Sequence, residues 1–222
     1  MECRFMLKDY LFITNNAPGV YENIPDEKEV EENLRSTSGT VTFNAQWSAN
    51  TYSITYDLNK GTGSSEPAHG TSHPDSATYD VQFTVNAPSR TGYTFTGWKI
   101  TGMDSVTHYY GSNTTTKDTI TSTKATTFKN LRCTSGTVKF TAQWSANTYS
   151  IAYTLNSGSY GTSHPTSATF DVEFEVSNPS RTNYVFTGWK ITGMDSVTHY
   201  YGSRSKTNTS ITSTTATKFK NL

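Results

Sequence analysis

Charge is scarce in this chain. Asp, Glu, Lys and Arg make up 16% of its 222 residues, and 18 basic residues cancel 18 acidic ones. Ordinary soluble domains carry roughly 25%. A neutral chain has no net field to draw in nucleic acid or an anionic membrane, so no nucleic-acid partner is expected. Long apolar runs are missing too. No stretch approaches the roughly 20 apolar residues of a spanning helix, so no membrane insertion is expected in this segment. Met1 to Ala17 is interrupted by Lys8 and Asp9 and does not read as a signal peptide. Cysteine is nearly absent. Cys3 and Cys133 alone offer no disulfide framework and no metal-ligand spacing. Helical periodicity is confined to Asp26 to Leu34, an acidic stretch short enough to be marginal as a helix.

What is present is aromatic, hydroxyl-rich and repeated. The chain holds 14 Tyr, 11 Phe and 4 Trp, set among Ser, Thr, Asn and Gly, which suits half-buried strands with Thr-rich outer faces. Thr96 to Ser112 recurs letter for letter as Thr187 to Ser203, an offset of 91. Asn33 to Ile54 recurs with three changes as Asn130 to Ile151, an offset of 97. The two offsets differ because the loop Leu58 to Pro74 is six residues longer than Leu155 to Pro165. A fixed period of this kind marks a tandem array. Cys133 stands where the other copy has Ser36, so the repeat does not require it, and no structural disulfide is expected.

The frame divides the chain into four parts. Residues 1–35 match nothing else and read as a poorly ordered N-terminal segment. Residues 36–50 read as the orphan closing strand of a preceding repeat. Residues 51–147 form a complete repeat, and residues 148–222 a second repeat lacking its closing strand. Such a frame reads as a fragment of a longer array. Within a repeat, apolar residues alternate with polar ones at Val41 to Trp47, Tyr52 to Leu58 and Tyr79 to Val85, the period of a strand with one buried face. The phase slips at Gly97-Trp98, as a bulge would make it. Lys60 to Ser76 is a loop by composition, and Ser112 to Phe128 is β-prone. The fold class expected is β-rich, with little helix.

Three elements recur in fixed order: Tyr52 to Asn59, the Pro-x-Arg-x-Gly-Tyr-x-Phe-x-Gly-Trp run at Pro88 to Trp98, and the Phe-x-Ala-Gln-Trp strand at Phe140 to Trp144. Together they resemble the Listeria–Bacteroides repeat, the B-repeat of internalin-type surface proteins. The second copy carries the same marks at Tyr149 to Asn156 and Pro179 to Trp189, with Asn183 in place of the glycine. The unit here is longer than the family's, and the excess lies between Trp98 and Gly136. The resemblance implies tandem β-grasp-like modules on secreted or wall-attached proteins, with a stalk or adhesive role and no catalytic residues or cofactors. Neighbouring repeats and a host or matrix protein or glycan are the partners it implies, at the cell surface or outside the cell.

Side chains that could carry chemistry are few. Asp104 with His108, and Asp195 with His199, are the best metal-ligand pairs, but positions four apart on a strand lie about 13 Å apart. These histidines, with His73 and His164, read as solvated loop residues. No nucleophile elbow or phosphate loop appears, so no enzyme is expected. Tyr109-Tyr110 and Tyr200-Tyr201 are the possible ligand contacts. Adjacent strand residues face opposite ways, so at most one of each pair is core and the other can stack on a sugar or peptide. That supports a carbohydrate-binding module as the alternative function. Trp47, Trp98, Trp144 and Trp189 read as core anchors. Asp171, Glu173 and Glu175 read as a solvated face.

Overall fold

A computed structural model of the chain describes residues 37–122, 126–213 and 217–222. Two compact units divide the chain, Met1–Ala49 and Asn50–Leu222, so both repeats fall within the second. The helix expected at Asp26 to Leu34 lies outside the described residues, which contain strands and turns but no helix.

Copy one builds two sheets from nine strands. The strands are β1 (Thr51–Asp57), β2 (Ser76–Thr78), β3 (Phe83–Thr84), β4 (Tyr93–Thr101) and β5 (His108–Tyr110), then β6 (Asn113–Thr115), β7 (Ile120–Ser122), β8 (Thr127–Lys129) and β9 (Thr137–Ala146). The first sheet has the order β2-β1-β9-β4-β7 and the second β3-β8-β5-β6. At the centre of the first, β9 runs parallel to β1 and antiparallel to β4. The register of β4 against β9 shifts between Phe95 and Gly97, which places the bulge where the phase slips in the sequence. The alternation then decides what is buried. Tyr52 and Ile54 of β1, Trp98 and Ile100 of β4, and Val138, Phe140 and Ala142 of β9 meet in one core with Phe128 of β8 and Leu131. The stretch from Trp98 to Gly136 is therefore no appendage, because it supplies β5 to β8 and part of this core.

Copy two repeats eight of these strands: β10 (Thr148–Ser150), β11 (Ser167–Thr169), β12 (Phe174–Glu175), β13 (Trp189–Thr192), β14 (His199–Tyr201), β15 (Arg204–Lys206), β16 (Ser210–Ser213) and β17 (Lys218–Lys220). The second sheet is reproduced as β12-β17-β14-β15. The first is not. It survives as two separate pairs, β10-β11 and β13-β16, because nothing among the described residues of copy two takes the place of β9.

Several strand expectations change. Residues 40–50 take no regular structure and are exposed, although Val41 to Trp47 alternates well, because a strand also needs a neighbouring ladder. Of the four tryptophans only Trp98 is fully buried, Trp144 and Trp189 are half-buried, and Trp47 is 67% exposed. The run from Tyr79 to Val85 yields only β3. Asp80 turns the chain with a φ of 62°, and Asn130 holds that turn by accepting from the Asp80 amide at 2.7 Å and donating to its carboxylate at 2.9 Å. Cys133 is disulfide-bonded, against the expectation of no structural disulfide. Comparing the copies reveals only what the repeat frame requires, so it did not expose this bond.

Candidate functional site

Polar and aromatic residues converge where copy one meets copy two. A single residue, Asn147, links β9 to β10. Its backbone is gripped from both sides: its amide donates to the Gly92 carbonyl at 2.9 Å, and its own carbonyl accepts from the Phe170 amide at 2.8 Å. Its side-chain oxygen accepts from the Thr94 hydroxyl at 2.6 Å. The Phe170 ring, nearly buried, packs edge-on against Tyr93 with centroids 5.7 Å apart. Gly92 has a φ of +78°, and a Cβ built there would run into that ring. Glycine is needed here for both backbone and space. Copy two has Asn183 at the matching position, with a φ of 65°, a conformation asparagine tolerates.

Asp171 is the centre of the junction. Its carboxylate accepts from the Ser64 amide at 2.8 Å and the Tyr93 hydroxyl at 2.8 Å, both in copy one. The Asn221 amide group donates to it at 3.0 Å from within copy two. Partial burial works to raise the Asp171 pKa, but the hydrogen bonds from Ser64, Asn221 and Tyr93 outweigh it and hold the carboxyl well below the usual range. Burial and the Asp171 carboxylate raise the pKa of Tyr93 in turn. Asp171 is thus not part of a solvated face, whereas Glu173 and Glu175 are exposed. Sequence comparison does pair Asp171 with Asp80, but periodicity cannot show that one of the two meets a neighbouring repeat. Ser64 and Ser65 sit in the stretch where the copies differ in length, so the longer loop of copy one is the one that reaches copy two.

Beside this contact lies a cleft of about 300 Å³, whose lining includes Ser64, Ser65, Phe170, Val197, Tyr200 and Asn221. It offers hydroxyl and amide groups and two aromatic rings. Its lining residues carry hydroxyl and amide groups that suit polar contact.

The four candidate tyrosines separate by face. Tyr109 is 41% exposed while Tyr110 packs on the core. Tyr201 is buried, and Tyr200 is half-buried at the cleft. The structure does not bring the two pairs into one site. A lysine stands over each outward ring, Lys129 at 5.6 Å from Tyr109 and Lys220 at 4.7 Å from Tyr200.

His108 and His199 are fully buried, not solvated. Each carries a backbone bond that the alternation pattern cannot reveal. His108 donates from Nδ1 to the Asn130 carbonyl at 2.7 Å, and His199 contacts the Asn221 carbonyl in the same way. These imidazoles hold the asparagines that clasp Asp80 and Asp171. Asp104 serves elsewhere, pairing with Arg132 at 3.0 Å and accepting from the Thr134 hydroxyl at 2.8 Å, which shapes the turn into β9. His73 and His164 remain exposed in their loops. Among the described residues, no three His, Cys, Asp or Glu side chains gather as metal ligands.

A family model for the Listeria-Bacteroides repeat domain matches residues 52–129 and 149–216. The first match continues past Trp98 through Lys129, so the segment that seemed in excess is largely within the matched unit. No curated protein and no solved structure matches the chain. With both copies matched and most of its length covered, this chain belongs to the Listeria-Bacteroides repeat domain family.

Proposed function

We propose that the chain is a structural and adhesive segment of a cell-surface or secreted protein, acting as a stalk or partner-binding spacer. The observation that carries this reading is the junction. A one-residue connection, the Asp171 contacts with Ser64 and Tyr93, and the Phe170 ring over Gly92 leave little freedom between the copies. Small modules joined stiffly give reach without chemistry. Small-angle X-ray scattering tests the spacer role. A double variant, Asp171→Ala with Gly92→Val, is expected to scatter as a more variable pair of modules, with a larger radius of gyration and unchanged secondary structure. An unchanged profile would count against a stiff joint.

Carbohydrate binding is the alternative, favoured by the hydroxyl-lined cleft beside Tyr200 and by the exposed Tyr109 ring. A glycan array run with the natural chain and with Tyr109→Ala and Tyr200→Ala separates the two readings. Glycan signal lost in either variant supports the alternative.

A further inference from the structure

Two histidines of copy one lie ring on ring. His69 and His73 stack with centroids 4.5 Å apart and planes 20° from parallel. Both residues are exposed. Tyr56 forms a wall behind them, edge-on to His69 at 5.5 Å and to His73 at 6.1 Å, and its hydroxyl donates to the Pro74 carbonyl at 2.8 Å. The His73 ring is tied as well as stacked. Its Nδ1 lies 2.8 Å from the Gly70 carbonyl. A carbonyl only accepts, so Nδ1 carries the hydrogen and the lone pair of the neutral ring falls on Nε2. A histidine tied in this way by one nitrogen is oriented to ligate a metal through the other.

The backbone beneath the pair is fixed. Ala68 and Ser89 exchange backbone hydrogen bonds at 2.8 and 2.9 Å, and the Asn86 amide donates to the Ser72 carbonyl at 2.8 Å. The Ser72 hydroxyl donates to the Thr84 carbonyl at 2.9 Å. Gly70 presses so close to this strand that a Cβ there would meet the Ala87 and Asn86 carbonyl oxygens at 2.6 and 2.8 Å. Copy two builds the same seat. Ser159 and Ser180 make the matching exchange, and the Ser177 amide donates to the Ser163 carbonyl at 2.8 Å. His164 Nδ1 lies 2.9 Å from the Gly161 carbonyl. The stacked ring is what changes: Tyr160 stands where His69 stands, and it lies on His164 at 4.5 Å and 18°. The seat holds a ring over the second histidine in both copies, and in copy one that ring brings a second nitrogen.

We propose that His69 and His73 bind one divalent transition-metal ion of the class that imidazole suits, such as zinc, nickel or copper. Nε2 of His73 supplies one lone pair and a ring nitrogen of His69 the other. At metal–nitrogen distances of about 2.0–2.1 Å and a tetrahedral angle, two such nitrogens sit roughly 3.4 Å apart. Rings already stacked at 4.5 Å reach that spacing by a small rotation of exposed side chains, on a backbone that need not move. Two protein ligands leave the remaining positions of the ion to water or to a donor from a binding partner. An ion held this way is open to exchange, unlike the closed four-ligand sites that hold a fold together.

Isothermal titration of the untagged full chain with zinc chloride, near neutral pH because the ligating imidazoles must be neutral, tests this. The natural chain is expected to bind one equivalent of zinc at this site. His69→Tyr gives copy one the ring of copy two and should lower the stoichiometry by one. Tyr160→His gives copy two the ring of copy one and should raise it by one. Each exchange installs a residue that the same seat already holds in the other copy. No zinc uptake by the natural chain, a stoichiometry unchanged in His69→Tyr, or one unchanged in Tyr160→His would each overturn the proposal.

Discussion

Asp171 shows how one side chain can join two modules. Three donors converge on its carboxylate, from Ser64, Tyr93 and Asn221, and together they depress its pKa despite partial burial. The unfolded chain titrates near the ordinary value of about 3.9. A carboxyl depressed in the folded state contributes stability that is fully present above that value. The contribution is lost as pH falls through the lower folded value. The junction is therefore expected to stay intact at mildly acidic pH and to weaken only below about pH 4. Thermal melts across an acid series check this: Asp171→Asn should start less stable at neutral pH and lose less than the natural chain on acidification. Equal slopes for the two proteins would contradict the assignment.

At the scale of the element, β9 decides how well each copy is packed. It bridges β1 and β4 in copy one and buries Trp98 in an aromatic cluster with Phe95, Phe140 and Tyr56. Trp98→Ala is expected to cost about 3–5 kcal/mol, the usual range for removing a large buried aromatic. Trp189 keeps contacts to Phe186 and Tyr153, but among the described residues it has no counterpart of Phe140 beside it and its buried Nε1 finds no hydrogen-bond partner. Trp189→Ala should therefore cost clearly less. Denaturant titrations of both variants decide the matter, and equal losses would show that copy two is packed as well as copy one.

For the whole molecule, the same difference predicts unequal stability of the two copies. Copy two keeps the second sheet and its own small core of Val176, Met194, Tyr201, Ile211 and Phe219, but its first sheet is divided. Calorimetry of dilute natural chain is expected to show copy two unfolding first, a departure from a single cooperative transition. Extending the chain by a closing strand should raise the lower transition toward the upper one. A single sharp transition in the natural chain would argue that the junction couples the copies fully.

The repeats, the strand-forming alternation, the bulge at Gly97-Trp98 and the β-rich class were legible in the sequence, because period-2 burial and internal identity are local properties of the chain. The alternation said that at most one tyrosine of each pair is core, and the tertiary structure decided which: Tyr109 and Tyr200 are the more outward in their pairs with Tyr110 and with the buried Tyr201. Alternation could not say which patterned segments find a ladder. Val41 to Trp47 and Val138 to Trp144 read alike, yet one is exposed and the other is the spine of a sheet. Nor could it distinguish a histidine in a loop from His108 and His199, which lie buried against the asparagines that clasp Asp80 and Asp171. The Asp171 junction depended on tertiary structure for the same reason. Its partners, Ser64 and Tyr93, lie 107 and 78 residues away in the chain, and only folding brings such distant groups within hydrogen-bonding distance.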